Sequence, residues 1–422
     1  MCSKKSGMPG AAPSTGSTEL HFAPAVPIPD FLTGEIQSKL AYVDEQILAA
    51  RVQEDQITLK VASTAGLTPE HRLTPEHRLT QERQRELIEK VQRVVLSMAK
   101  GAFKPKVQIL EDHLDRPVPF QSDPMPGLLM GSQTNQEANG LFVLGPLLTR
   151  LINYFEAQFI ALADSFQAAP YRFPTLIPAR YLERVNYFRA FPHSLTFATH
   201  LRADLEVIDE FAQHATCEHS ELQTPPDSFA PIQALLSPAV CYHLYFALAD
   251  QPLPGGQVVA TAVGNCFRYE AINLSSLERL WNFTMREVIF VGAKEFVLEN
   301  REIARQRMSQ VFERIGLAYR VESANDPFFI GEFRKQAAFQ SAFQLKFEIR
   351  ARLPFKDSTL AVGSYNYHQD FFGRSLNITL PDGSPAHTGC VAFGLERIAF
   401  AFVAQYGLDP ANWPAEVREM AA

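Results

Sequence analysis

Asn265–Gly292 reads NCFRYEAINLSSLERLWNFTMREVIFVG. Two apolar arms, CFRYEA and FTMREVIFVG, carry charges at alternating positions, and a polar segment, NLSSLERLWN, lies between them. The alternation predicts two strands joined by a long loop. One face of the pair carries Arg268, Glu270 and Glu287 beside aromatic residues. A hairpin that merely faces solvent has no need of that arrangement.

Working outward, QVVATAVGNCF leads into the first arm, and LENREIARQRMSQVFERIG (298–316) follows the second as a charged amphipathic helix. KFEIRARLP then alternates, with Phe347, Ile349, Ala351 and Leu353 on one face and Glu348 and Arg350 on the other, as a half-buried strand does. HTGCVAFGLERIAFAF (387–402) reads as strand, glycine turn and helix. Upstream, Pro146 opens an amphipathic helix with Leu147, Leu148, Leu151, Ile152, Phe155 and Phe159 on its apolar side, and PYRFPTLIP follows as an extended segment. YFRAFPHSLTF reads as strand, CEHSELQTPPDSFAP as loop, and the segment around Cys241 as strand.

Residues 1–30, rich in Gly, Pro, Ser and Thr, are expected to be disordered. Residues 31–110 are expected to form a helical extension. Ile36, Leu40, Val43 and Ile47 recur in steps of four and three, and a tandem LTPEHR repeat at 67–78 offers a Thr cap and a first-turn Pro for a helix with Leu87, Ile88, Val91, Val94, Val95 and Met98 on its apolar face. Residues 111–422 then form one large domain.

With 46% hydrophobic residues, the 422-residue chain can build a sizeable core, and its net charge of −7 argues against a general nucleic-acid-binding surface. No apolar run reaches membrane-span length and no signal segment opens the chain. Five scattered cysteines do not suggest a disulfide framework. These features predict a cytoplasmic protein with reduced thiols.

Phe267-Arg268-x-Glu270, a loop, then Arg279-x-x-x-Phe283 resembles motif 2 of class II aminoacyl-tRNA synthetases. Gly394-Leu395-Glu396-Arg397 resembles their motif 3, and the Pro146 helix with the strand ending at Pro178 resembles motif 1. Ser364-x-Asn366 with Asp370 and Phe371 is similar to the run before motif 3 in seryl-tRNA synthetases. The three motifs stand in the family's order over residues 140–415. The resemblance implies an α+β fold, an antiparallel sheet flanked by helices, dimerising through the motif 1 helix. The alternating strands at 257–267, 283–291 and 346–353 agree with it.

The family's chemistry implies that ATP activates an amino acid as its adenylate, with Mg2+ accompanying the nucleotide. Arg268 is then placed on the α-phosphate and carboxylate, Glu270 on the adenine amino group, Arg279 on the outer phosphates, and Phe283 and Arg397 on the two faces of the adenine ring. Arg268 and Arg397 are the catalytic candidates. Seryl-tRNA synthetases carry a metal-binding Glu before the Ser-x-Asn run. This chain has no carboxylate between Asp357 and Asp370, which leaves Glu348 on the preceding strand.

Cys241, Glu287 and Cys390 resemble the Cys-Glu-Cys zinc set of two groups, the atypical seryl-tRNA synthetases of methanogens and the amino acid:[carrier protein] ligases. A Zn2+ ion with three protein ligands and one open position would take a substrate amine. The alternative for the two thiols is simple packing as small hydrophobes. The carrier-protein ligases are the nearer resemblance, through LSPAVCYHLYFAL, FTMREVIFVG and YNYHQDFFG. They imply transfer of glycine, alanine or serine to the phosphopantetheine thiol of a carrier protein. Transfer to tRNA fits the acidic chain and the interrupted N-terminal helices less well. A catalytically silent paralogue with a binding or regulatory role is the remaining alternative.

Overall fold

The structure, a computed structural model, describes residues 17–62, 79–100, 107–218, 220–270, 274–324 and 345–421. It divides into two compact units, Met1–Lys104 and Pro105–Ala422.

The first unit is not purely helical. Strands β1 (Ser17–Phe22), β2 (Ile47–Val52) and β3 (Ile57–Ala62) form an antiparallel sheet in the order β1–β3–β2, accompanied by helices α1 (Asp30–Leu40) and α2 (Gln81–Ala99). Two expectations are corrected. Residues 17–22, expected to be disordered, pair with β3, and Leu20 lies opposite the fully buried Leu59. The apolar seam from Ile36 ends at Leu40: Leu32, Ile36 and Leu40 are the buried side of α1, whereas Ile47 already opens β2. Its helix-like spacing arises by accident across a turn. Thr80 caps α2, its hydroxyl accepting from the Arg83 N–H at 3.1 Å, and Leu87, Val91, Val95 and Met98 are buried. The LTPEHR repeat lies outside the described residues.

The second unit is built on an eight-stranded sheet. Its strands are β4 (Ile109–Asp112), β5 (Ala169–Pro170), β6 (Val258–Phe267), β7 (Asn282–Gly292), β8 (Tyr319–Ser323), β9 (Lys346–Leu353), β10 (Ser358–Tyr367) and β11 (His387–Gly394). They lie in the order β4–β8–β9–β10–β11–β7–β6–β5. All neighbours are antiparallel except the short β5, which runs parallel to β6. Helices α3 (Pro146–Asp164), α5 (Lys294–Arg314) and α6 (Leu395–Tyr406) share one apolar core with the sheet, and the short α4 (Cys241–Ala247) belongs to a second, smaller core.

Because successive strand residues point to opposite faces, β7 and β11 divide their side chains between two environments. Val288, Phe290, Val391 and Phe393 enter the large core with the three helices. Ile289, Val291 and Cys390 enter the smaller one. The large core is close-packed: Phe159 of α3 stacks on Phe393 of β11 with ring centroids 3.8 Å apart and planes 6° apart. Phe159→Ala should destabilise the unit by about 3–5 kcal/mol through lost contact and a residual cavity. A denaturant titration would read this as a lowered midpoint; an unchanged midpoint would mean that the site collapses freely.

Three local expectations also change. YFRAFPHSLTF forms a helical turn at Tyr187–Ala190, and only Phe197–Ala198 is strand. The expected loop after Ala215 contains a hairpin, Thr216–Glu218 with Glu221–Gln223. The Cys241 segment is helical, as described below. Among the described residues, no helix is long and apolar enough to cross a membrane.

Candidate active site

Glu287 and Cys390 come together through sheet register. Ile289 of β7 lies opposite Cys390 of β11, and Glu287, two residues along β7, shares that face. Cys241 arrives from elsewhere. It is the first residue of α4, not part of a strand, because Cys241, Leu244, Tyr245 and Leu248 recur at helical spacing and are buried together. One thiol therefore approaches from the helix start while the other two ligands stand on the sheet.

The three ligand atoms lie within 4.8 Å of one another, and each residue is at most 4% exposed. Glu287 Oε1 accepts from the Val240 N–H at 3.0 Å. Glu287 Oε2 is buried with no well-aligned hydrogen-bond partner; besides the Val240 N–H, both thiols and the Arg268 charge act on the Glu287 carboxyl. Asn366 donates to Cys390 Sγ at 3.4 Å and to Ser364 Oγ at 2.9 Å. Without a cation the set resists ionisation. The hydrogen bond to Cys390, then burial, drives the Cys241 thiol pKa well up, and burial raises Glu287. At Cys390 the Cys241 hydrogen bond works downward but is outweighed by burial and the Glu287 charge.

Two thiols and a half-unpaired carboxylate, buried and converging, are costly as anions unless a cation joins them. The donor set fits zinc, which takes Cys sulfur and carboxylate oxygen and in working sites keeps one position open. Cys266 is not part of this group. It is buried beside Val240 and Ala262, as packing predicts.

The residues matching motifs 2 and 3 form a second cluster. Arg268 and Glu270 follow the last residue of β6. The Arg268 N–H donates to Trp281 O at 3.0 Å, its Nε donates to Pro238 O at 3.0 Å, and its guanidinium lies 5.4 Å from the Phe283 ring centre. Arg397, in the first turn of α6, donates to Ala361 O at 3.3 Å. Burial lowers its pKa, and the charges of Glu270, Arg279, Arg268 and Glu348 all act on it. The guanidinium charges of Arg268 and Arg279 thus reach that of Arg397 from separate elements.

Arg279 and Glu270 form an ion pair with each other across the loop. Glu348 stands opposite Ser364 in the β9–β10 register, but its carboxylate is held by Arg350 at 2.8 Å and Lys346 at 3.4 Å. It is therefore a cation-paired group, not a bare metal ligand.

Sequence reasoning overlooked what supports these clusters. Both Glu396 carboxylate oxygens accept from the Thr284 N–H at 2.9 Å, fastening the start of α6 to β7. Arg286, which points away from the site, pairs with Glu156 of α3 at 2.7 Å. The acidic residue directly before Arg397 was the available signal for the first; the second needs the fold.

No family model matches the chain. Amino acid–[acyl-carrier-protein] ligase 1 of Bradyrhizobium diazoefficiens is 35% identical over 250 residues, covering 59% of this chain and 75% of that protein. Ligase 2 of the same organism is also 35% identical over 250 residues, covering 73% of its length. The type-2 serine–tRNA ligase of Methanococcus aeolicus is 25% identical over 328 residues, covering 75% of this chain and 62% of that protein. Among solved structures, the M. kandleri seryl-tRNA synthetase in complex with A. aeolicus tRNASec superposes with a TM-score of 0.67 at 17% identity, over 96% of this chain and 95% of that one. That likeness establishes the class II synthetase fold. Identity to both ligases over about three quarters of their length settles the closer kinship: the chain belongs to the amino acid–[acyl-carrier-protein] ligase family, seryl-tRNA synthetase-like homologues of the class II aminoacyl-tRNA synthetases.

Proposed function

We propose that this protein activates a small amino acid with ATP and transfers it to the phosphopantetheine thiol of a carrier protein. The observation that carries the reading is the buried Cys241–Glu287–Cys390 set beside the converging Arg268, Arg279 and Arg397. A family relationship to carrier-protein ligases supports the acceptor.

In the first step, an oxygen of the substrate carboxylate attacks the α-phosphorus, the bond to the β-phosphate oxygen breaks, and pyrophosphate leaves. This requires positioning and positive charge more than proton transfer. Arg268, fixed by Pro238 O and flanked by Phe283, stabilises the charge that grows on the α-phosphate. Phe283 and Arg397 hold the adenine ring, and Glu270 accepts from its amino group. Arg279 reaches the outer phosphates, so nucleotide binding exchanges the Arg279–Glu270 pair for contacts to ATP. Mg2+ accompanies the phosphates. Zinc bound by Cys241, Glu287 and Cys390 would offer a Lewis-acidic position for the unprotonated α-amine. In the second step the carrier thiol sulfur attacks the acyl carbon, the acyl–phosphate C–O bond breaks, and AMP leaves. We also infer a homodimer in which α3 lies at the contact. Leu129, Met130 and Val143, exposed at 47%, 82% and 48%, lie in the chain just before that helix.

A second reading, transfer to tRNA, draws on the likeness to a seryl-tRNA synthetase over nearly the whole chain. The net charge of −7 weighs against it, since phosphate contacts dominate nucleic-acid affinity. The deciding experiment is amino-acid-dependent ATP–pyrophosphate exchange across all twenty amino acids, with zinc quantified and mass measured by sedimentation in the same preparation. Exchange with glycine, alanine or serine, one zinc per chain and a dimeric mass are expected. Absence of exchange with zinc present would favour a silent paralogue, and charging of tRNA in place of a carrier would overturn the acceptor.

A further inference from the structure

The sheet edge next to this site has a gap. Among the described residues, β5 pairs with β6 only at Ala260 and Thr261, and Thr261 O then accepts from the Tyr171 N–H at 2.8 Å. The next outward contact on β6 is the Phe267 N–H, which donates to Ser237 O at 2.9 Å. Outward-facing backbone groups recur every second residue along a strand paired on its other side. The N–H and C=O groups of Val263 and Asn265 therefore point away from β7. No described backbone group outside the sheet meets them, and both residues are exposed.

This window opens onto a small pocket lined by Phe173, Thr175, Val240, His243, Gly264 and Asn265. Phe173 and His243 stack with ring centroids 5.5 Å apart, and His243 Nε2 lies 3.1 Å from Ser237 Oγ. The pocket wall is shared with the candidate metal centre: Val240 lines it and also donates to Glu287.

We propose that the unpaired β6 edge at Val263 and Asn265 is the docking track for the pantetheine arm of the acceptor, whose two amides add to the sheet as an extended strand would. This rests on the carrier-protein reading above. An exposed edge offers alternating donors and acceptors to any extended amide chain. The gap is two outward residues long, and the arm carries two amides. The pocket lining carries no carboxylate, lysine or arginine, and the track ends beside the loop that holds Glu287, where an acyl group on the adenylate awaits a thiol. The phosphate end of the arm is left outside the track.

The test uses the full chain and two soluble thiols, D-pantetheine with two amides and N-acetylcysteamine with one, as acceptors of the activated amino acid. The unaltered protein should prefer pantetheine. Val263→Pro and Asn265→Pro each remove one outward N–H while leaving the β7 ladder intact, as edge prolines do. Each should cut transfer to pantetheine by about 3- to 10-fold, the worth of one hydrogen bond, with ATP–pyrophosphate exchange unchanged. Hydrogen exchange on the unaltered protein gives a second reading: the Val263 and Asn265 amides should slow when pantetheine is added. Intact exchange activity with undiminished pantetheine transfer in both variants, or no slowing of either amide, would overturn the track and leave the activation step standing. No pyrophosphate exchange in the unaltered protein would instead remove the reading on which the track depends.

Discussion

Cys241→Ala should strip zinc from the protein and abolish amino-acid activation while ATP still binds. Cys241 supplies one of three converging candidate ligand atoms, all within 4.8 Å, and the set is buried. With one thiol removed, Glu287 and Cys390 form an incomplete site that water cannot easily fill. The amine is then held by no Lewis acid, and the carboxylate loses its alignment with the α-phosphorus. A loss of at least 100-fold in exchange rate is expected, roughly 2.7 kcal/mol of transition-state stabilisation. ATP binding persists because Arg268, Phe283 and Arg397 hang on other elements: the end of β6, the start of β7 and the first turn of α6. Metal analysis, exchange and nucleotide titration on one preparation would check all three parts. Metal-free protein that still activates at the normal rate would end the amine-binding role.

Arg268→Ala should lower the exchange rate by about 100- to 1000-fold, about 3–4 kcal/mol, the usual cost of removing one preorganised donor from a developing oxyanion. Zinc content should not change, which separates this variant from the first. Its guanidinium is locked by Pro238 O and faces Phe283, so it needs little rearrangement when charge develops. Arg268→Lys should recover little, because a flexible ammonium cannot reproduce a planar fork. If Arg268→Ala instead raised only the KM for ATP, its contact would be shared by ground and transition states, and the charge-stabilising role would fall to Arg397 or Arg279.

Much of the site was legible in the chain because its elements are short-range signals. The strands around Glu287 and Cys390 announce themselves by alternation, and Arg268, Glu270 and Arg397 sit in recognisable local contexts. The segment holding Cys241 was misread as strand because only seven residues form α4, barely two turns, too few for a period to emerge from a run of apolar residues. The first unit was misread for a related reason. ILAARV and ITLKVA are six-residue strands, and the spacing from Ile36 to Ile47 mimics a helix across the turn that separates α1 from β2. The Arg279–Glu270 pair, the grip of Glu396 on Thr284 and the pairing of Glu348 with Lys346 and Arg350 depend on how loops and strands lie side by side, which no local pattern encodes.

The split of β7 and β11 between two faces has an evolutionary consequence. Glu287 and Val288 are adjacent in sequence, yet one belongs to the candidate ligand set and the other to the helix-covered core. The same holds for Cys390 and Val391. Substitutions at Glu287 and Cys390 are thus answerable to a different demand from those at Val288 and Val391, the converging polar set at the first pair and core packing at the second. A lineage can retune that set at Glu287 and Cys390, while Val288 and Val391 hold the helix-covered core and Ile289 and Val291 the smaller one. Such strands let new substrate preferences be tried without each trial being paid for in stability.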